Sequence, residues 1–175
     1  MVTQRSREIC TRLESRVSAL EAILTPLTED QWHLRCEGEG WSVGLVGCHV
    51  GLGLRRQARW IERALAGGVA HDFSWERTHA LNALVKRRAL RLDPDEVLRS
   101  LRDGLERWRR LLEALTEADL SRIAFRMGPN ERSVDWVAGA LAVRHVDEHT
   151  RSIRTALGDA AAEAPPREQR NAEKR

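Results

Sequence analysis

Residues 145–149 read HVDEH. Two imidazoles four positions apart on a helix project to one side, about one turn apart, which suits two adjacent ligands on one metal ion. The acid just before the second histidine completes the string H-x-x-E-H of the inverted zinc proteases. That chemistry needs Glu148 as general base and a further ligand, usually acidic, far downstream. Few residues follow His149, and they read as a helix end and a charged tail, so the protease reading is set aside. Glu148 then belongs to the helix surface or stands beside His149.

A third imidazole comes from elsewhere in the chain. On the helix that carries the pair, a 3.6-residue period puts Val134, Ala138, Leu141, His145, His149, Ser152 and Ala156 on one row. On an earlier helix the row Val46, His49 or Val50, Gly53, Gln57, Trp60 allows His49 to point inward. Burying imidazoles without partners costs roughly a few kcal/mol each. Three of them converging would hold a divalent ion with at least one open position, the pattern of a catalytic rather than a closed structural site. Neutral imidazole suits Zn, Ni and Fe(II) alike, so the donor set does not select the metal. The bland alternative is that these are satisfied core histidines. The other histidines, His33, His71 and His79, fall in connections and read as solvated, with His71 or His79 able to border a pocket. Arg56, two turns beyond His49, and Arg144, next to His145, are candidates to hold a substrate carboxylate through a bidentate contact, against the plainer reading of surface arginines. Cys48 adjoins His49, but neighbouring helical residues point about 100° apart, so it reads as a small core residue.

Four long helical stretches must position these groups. The first spans about Arg5 to Leu24, with Ile9, Leu13, Val17, Leu20 and Ile23 inward. Thr28 and Gln31 form a capping box after Pro26. The glycine-rich stretch CEGEGWS follows, and Ser42 caps the second helix, about 43–66. A short extra helix is expected within SWERTHALNALVKRRAL. Asp93-Pro94 opens the third, which runs to about Leu115 with Val97, Leu98, Leu101, Leu105, Trp108 and Leu112 inward. MGPNE at 127–131 reads as a loop, and Ser133 caps the fourth helix, about 134–157, with Gly158 after its end. Trp41 and Trp136 are expected near helix starts, Trp60 and Trp108 in the core. Four glycines, Gly44, Gly47, Gly51 and Gly53, crowd the second helix at about 0.8–1 kcal/mol each relative to Ala. Close approach of another helix, or of a ligand near His49, would compensate. With no convincing strand run, the class is all-α: a four-helix bundle over residues 1–158 with a disordered tail from 159. The long connections between helices one and two, and three and four, favour an up-up-down-down order with two crossovers.

The 175 residues carry 29 Lys+Arg against 26 Asp+Glu, a net charge of +3 that argues against nucleic-acid binding. The three cysteines suggest a reducing compartment rather than a disulfide framework. The N-terminal stretch has no apolar signal region and no segment is long and apolar enough to span a membrane, so a cytoplasmic protein is expected.

Two stretches carry a resemblance. GWSVGLVGCHVGLGLRRQ at 40–57 resembles the start of the second helix of the DinB/YfiT-like superfamily, with Trp41 and Ser42 before the helix and His49 seven positions after the serine. SVDWVAGALAVRHVDEHTRSI at 133–153 resembles the fourth helix of that family, with its His-x-x-x-His pair and a following arginine, here Arg151. The middle region, from FSWERTH to LTEADL, is similar to the branch containing mycothiol-dependent maleylpyruvate isomerase. The resemblance implies a four-helix bundle whose metal is held by His49, His145 and His149. It also implies a metal-dependent transferase or isomerase using a low-molecular-weight thiol, acting on a small molecule, commonly as a homodimer. The rival expectation is a non-catalytic metal-binding or dimerising bundle, with a closed site and a larger exposed apolar face.

Overall fold

The computed structural model describes residues 2–88 and 92–163, the side chains of 88 and 159–163 excepted. Four helices form the bundle: α1 (Gln4–Leu24), α3 (Val43–Leu65), α5 (Pro94–Ala114) and α8 (Val143–Glu163). Between them lie α2 (Glu29–His33), α4 (Trp75–Arg88), α6 (Glu117–Ser121) and α7 (Val134–Trp136), which leads through a π-helical segment, Val137–Ala142, into α8. The long helices touch in the ring order α1–α5–α3–α8, so α1 and α3, successive long helices, are diagonal rather than adjacent. That adjacency needs the long connections read from the sequence.

The caps are where the residue types place them. Ser42 Oγ accepts from Leu45 N–H at 3.3 Å, Thr28 and Gln31 form a reciprocal capping box, and Asp93 accepts from Asp95 N–H ahead of Pro94. The core is the predicted apolar rows: Ile9, Leu13, Val17 and Leu20 of α1 meet Leu101, Trp108 and Leu112 of α5, all fully or nearly fully buried. Trp108 satisfies its indole N–H on the Leu54 carbonyl at 3.1 Å. Trp60 is only half-buried, at the edge of that core.

The all-α bundle also carries short strands that the sequence reading did not mark. The 127–131 loop is the turn of an antiparallel hairpin, β4 (Ile123–Met127) with β5 (Asn130–Ser133). Gly128 has φ +57°, the left-handed value that the turn requires. β3 (His71–Asp72) joins β4 in parallel, and β1 (Arg35–Cys36) pairs with β2 (Trp41–Ser42) across the CEGEGWS turn. These strands are two to five residues long, too short to give a period. Gly158 does not end the last helix, whose backbone continues to Glu163. The predicted tail lies, past that point, outside the described residues. Among the described residues no helix is long and apolar enough to cross a membrane.

Candidate metal centre

The β1–β2 turn and the cap at Ser42 fix the start of α3, and His49 lies two turns in. The π segment, a run of small residues, delivers α8 to the opposite wall; such segments recur at functional sites. The result brings the three predicted histidines together. Ring centroids are 5.0 Å apart for His49–His145, 4.9 Å for His49–His149 and 4.7 Å for His145–His149, all edge-to-face. One ring nitrogen of each lies within 4.8 Å of the other two.

Gly53 makes room for this. A Cβ there would stand 2.3 Å from His145 Nε2, so the imidazole occupies the volume a side chain would fill. The other glycines serve packing: a Cβ at Gly51 would meet Ser100 of α5 at 2.5 Å, and one at Gly44 the Trp32 ring at 2.5 Å. Helix contact therefore explains most of the crowding, and the His145 ring explains one position.

The sequence reading missed Glu39. Its carboxylate, in the β1–β2 turn, accepts from His149 Nδ1 at 2.8 Å and from Ser152 Oγ at 2.5 Å. With Nδ1 protonated toward the carboxylate, Nε2 of His149 is left with its lone pair free. The one available signal was a carboxylate in a glycine-rich turn just before the His49 helix, and nothing in the sequence ties it to residue 149. Cys36, on the same turn, is buried, and burial beside Glu39 pushes its thiol up to about 11, so it stays protonated.

Burial, reinforced by the neighbouring His149, holds His49 down at about 4 from the usual 6.5, and burial places His145 well below its ordinary value. Both rings are neutral at pH 7, the form that ligates metal. His49 Nδ1 and His145 Nε2 are buried with no hydrogen-bond partner. Orphaned buried nitrogens are rare in folded proteins. Two of them beside a carboxylate-oriented third imidazole fit a divalent ion bound by three nitrogens. Trp41 closes one side, edge-on to His49 at 5.3 Å.

The two arginines separate. Arg56 is half-buried on α3, one turn beyond Gly53, the residue that packs on the His145 ring. Arg144 stands 60% exposed and pairs with Glu148 at 3.7 Å, so both members of that pair lie on the helix surface. His33 is exposed, as is His79, which stacks on Trp75. His71 is not solvated as expected: it is half-buried and stacks on Trp60, with centroids 4.2 Å apart and planes within 10°.

The DinB superfamily model matches residues 12–153. The chain belongs to the DinB superfamily. Its fold also matches a solved structure from Bacillus subtilis, YfiT, described as a probable metal-dependent hydrolase with an unusual four-helix bundle topology. That match has TM-score 0.71 and 18% identity, and covers 92% of this chain and 91% of that one. No curated protein matches the chain. At that identity the likeness speaks for the bundle, while the site rests on the geometry above.

Proposed function

We propose that this DinB-superfamily chain is a metal-dependent enzyme acting on a small molecule, with His49, His145 and His149 as the metal ligands. The observation that carries the proposal is the pair of orphaned buried nitrogens on His49 and His145 facing a histidine that Glu39 already orients. Bound there, a Zn, Ni or Fe(II) ion would supply Lewis-acid activation of a water or of a low-molecular-weight thiol. This chain's own residues prepare that role. Glu39 fixes the tautomer and plane of His149, burial keeps His49 and His145 deprotonated, and Gly53 admits the His145 ring. Three protein ligands leave a position for a reacting group. The hydrolase description of YfiT supports water as that group, and the similarity of the middle region to a thiol-dependent branch supports a thiol.

The test is elemental analysis of untagged wild-type protein and of His49→Ala and His145→Ala chains after loading with Zn, Ni or Fe(II). Near-stoichiometric metal in the wild type, lost in both variants, is the expected result. A wild-type chain that takes up none of the three ions removes the enzyme reading and leaves a non-catalytic bundle.

A further inference from the structure

Several of the described arginines are matched by acids. Arg5 meets Asp135 at 2.5 Å, Arg109 meets Glu14 at 2.6 Å and Arg107 pairs with Glu62. Arg56 departs from this pattern. It is half-buried, and among the described residues no carboxylate or other acceptor bonds its guanidinium. Burial alone lowers its pKa, with no acid acting to raise it. A half-buried cation with no acid beside it keeps its bonding capacity open to an incoming anion.

Its position says where that anion would sit. Arg56, Gln57 and Trp60 lie three, four and seven residues beyond Gly53, on one stripe of α3 leading away from His49. Arg56 stands one turn beyond Gly53, which packs on the His145 ring, and one turn before Trp60, which stacks on His71, so its place on α3 lies between the three-histidine cluster and the Trp60–His71 stack. Phe125 extends that stack, 5.3 Å from Trp60 and 5.9 Å from His71. Gln57, on the same stripe and 5% exposed, leaves its buried Oε1 without a partner, a second unmet polar group.

We infer that Arg56 and the Trp60–His71 stack form the recognition subsite for a small organic acid, Arg56 gripping its anionic group and the aromatic rings bordering its apolar body. The inference rests on the metal-centre reading only for where the reacting atom lies; the subsite itself is built from metal-free groups. The guanidinium fork is suited to a carboxylate in a way a lysine is not.

The test is binding of benzoate, phenylacetate and hexanoate, each against its neutral amide, to the full metal-free chain, followed by tryptophan fluorescence and calorimetry. At least one acid is expected to bind about tenfold or more tighter than its amide. Arg56→Gln should erase that preference, Arg56→Lys should restore part of it, and Trp60→Leu should weaken acid and amide together. Circular dichroism confirms that each variant keeps its helices. Equal binding of every acid and its amide, or a preference that survives in Arg56→Gln, overturns the subsite. A wild-type chain that prefers acids yet takes up no metal supports the subsite and sinks the metal centre. One that holds metal without any acid preference overturns the subsite alone.

Discussion

Gly51 and Gly53 are two residues apart on α3, and each lacks a side chain for a different reason. Gly51 lies against α5, where an added Cβ would run into Ser100, its Oγ at 2.5 Å and its backbone at 3.0–3.1 Å. Gly104 of α5 answers it: a Cβ there would stand 3.3 Å from the Gly51 carbonyl oxygen and 3.1 Å from Leu54 Cβ. Gly53 lies against α8, where the obstacle is only an imidazole. One face of the helix is shaped by another backbone, the other by a ring that can swing. The same residue type thus makes room for a backbone on one side and for the ring of a proposed metal ligand on the other.

The largest effect should come from breaking that distinction. Gly53→Ala must displace the His145 ring. Loss of groups that merely orient a ligand costs about 10–100-fold in metal affinity, so displacing a ligand should cost at least about a hundredfold. Stability should change little, because helix propensity gains up to about 1 kcal/mol and the displaced group is a side-chain end. Gly51→Ala should do the reverse: metal content unchanged, and a net loss of about 1–2 kcal/mol as α3 and α5 are forced apart. Metal titration and urea unfolding on both variants read the two effects separately. Equal metal affinity in the two would erase the contrast.

Protons should also distinguish the two faces. On the α5 face the buried bond is that of Trp108 to the Leu54 carbonyl, which does not titrate. On the α8 face His49 titrates near 4 when folded and near 6.5 when unfolded. Between those values the unfolded chain binds the extra proton, so the stabilisation is complete above pH 6.5 and is lost as pH falls toward 4. From pH 7 to pH 5 the metal-free protein should lose about 2 kcal/mol through His49, and more through His145. Urea unfolding at pH 7, 6 and 5 measures it, and His49→Gln should flatten the profile. A wild-type profile already flat over that window would mean the rings are solvated.

How much of this contrast was legible follows from range. Ser42, Asp93-Pro94 and the 3.6-residue rows act within a turn or two, and the helices could be drawn from them. His145 and His149 share one helix, so their spacing was visible; His49 needed only a correct inward row. Glu39 was hidden because its bond to His149 spans 110 residues of chain and follows no period. His71 read as solvated because its partner, Trp60, lies on another element. The hairpin strands were too short and too charged to alternate, and the π segment is spelled VAGALA, which any helix accepts. Local physics wrote the scaffold into the sequence, while the contacts that orient and border the site arise only after packing.

Glu39→Gln sharpens the contrast from outside the helix. The amide can still meet His149 and Ser152 but carries no charge to hold Nδ1 protonated. Metal affinity should fall about 10–100-fold with the fold intact. Competition with a chelator measures it, and an unchanged affinity would make Glu39 a turn residue only.

The smallest effect is expected at Arg144, one residue from a ligand and yet outside the site. Its pair with Glu148 is 3.7 Å long, with both side chains about 60% exposed, on a helix surface where solvent screens the attraction. Such i, i+4 pairs contribute about 0.3–0.5 kcal/mol. Adjacent helical positions point about 100° apart, so Arg144 looks to water while His145 looks to Gly53. Arg144→Ala should therefore leave metal affinity and the acid-over-amide preference unchanged, with a thermal shift near the limit of detection. A tenfold loss of either would place Arg144 at the site through a rearrangement of α8. Adjacency in sequence would then matter where the face of the helix says it does not.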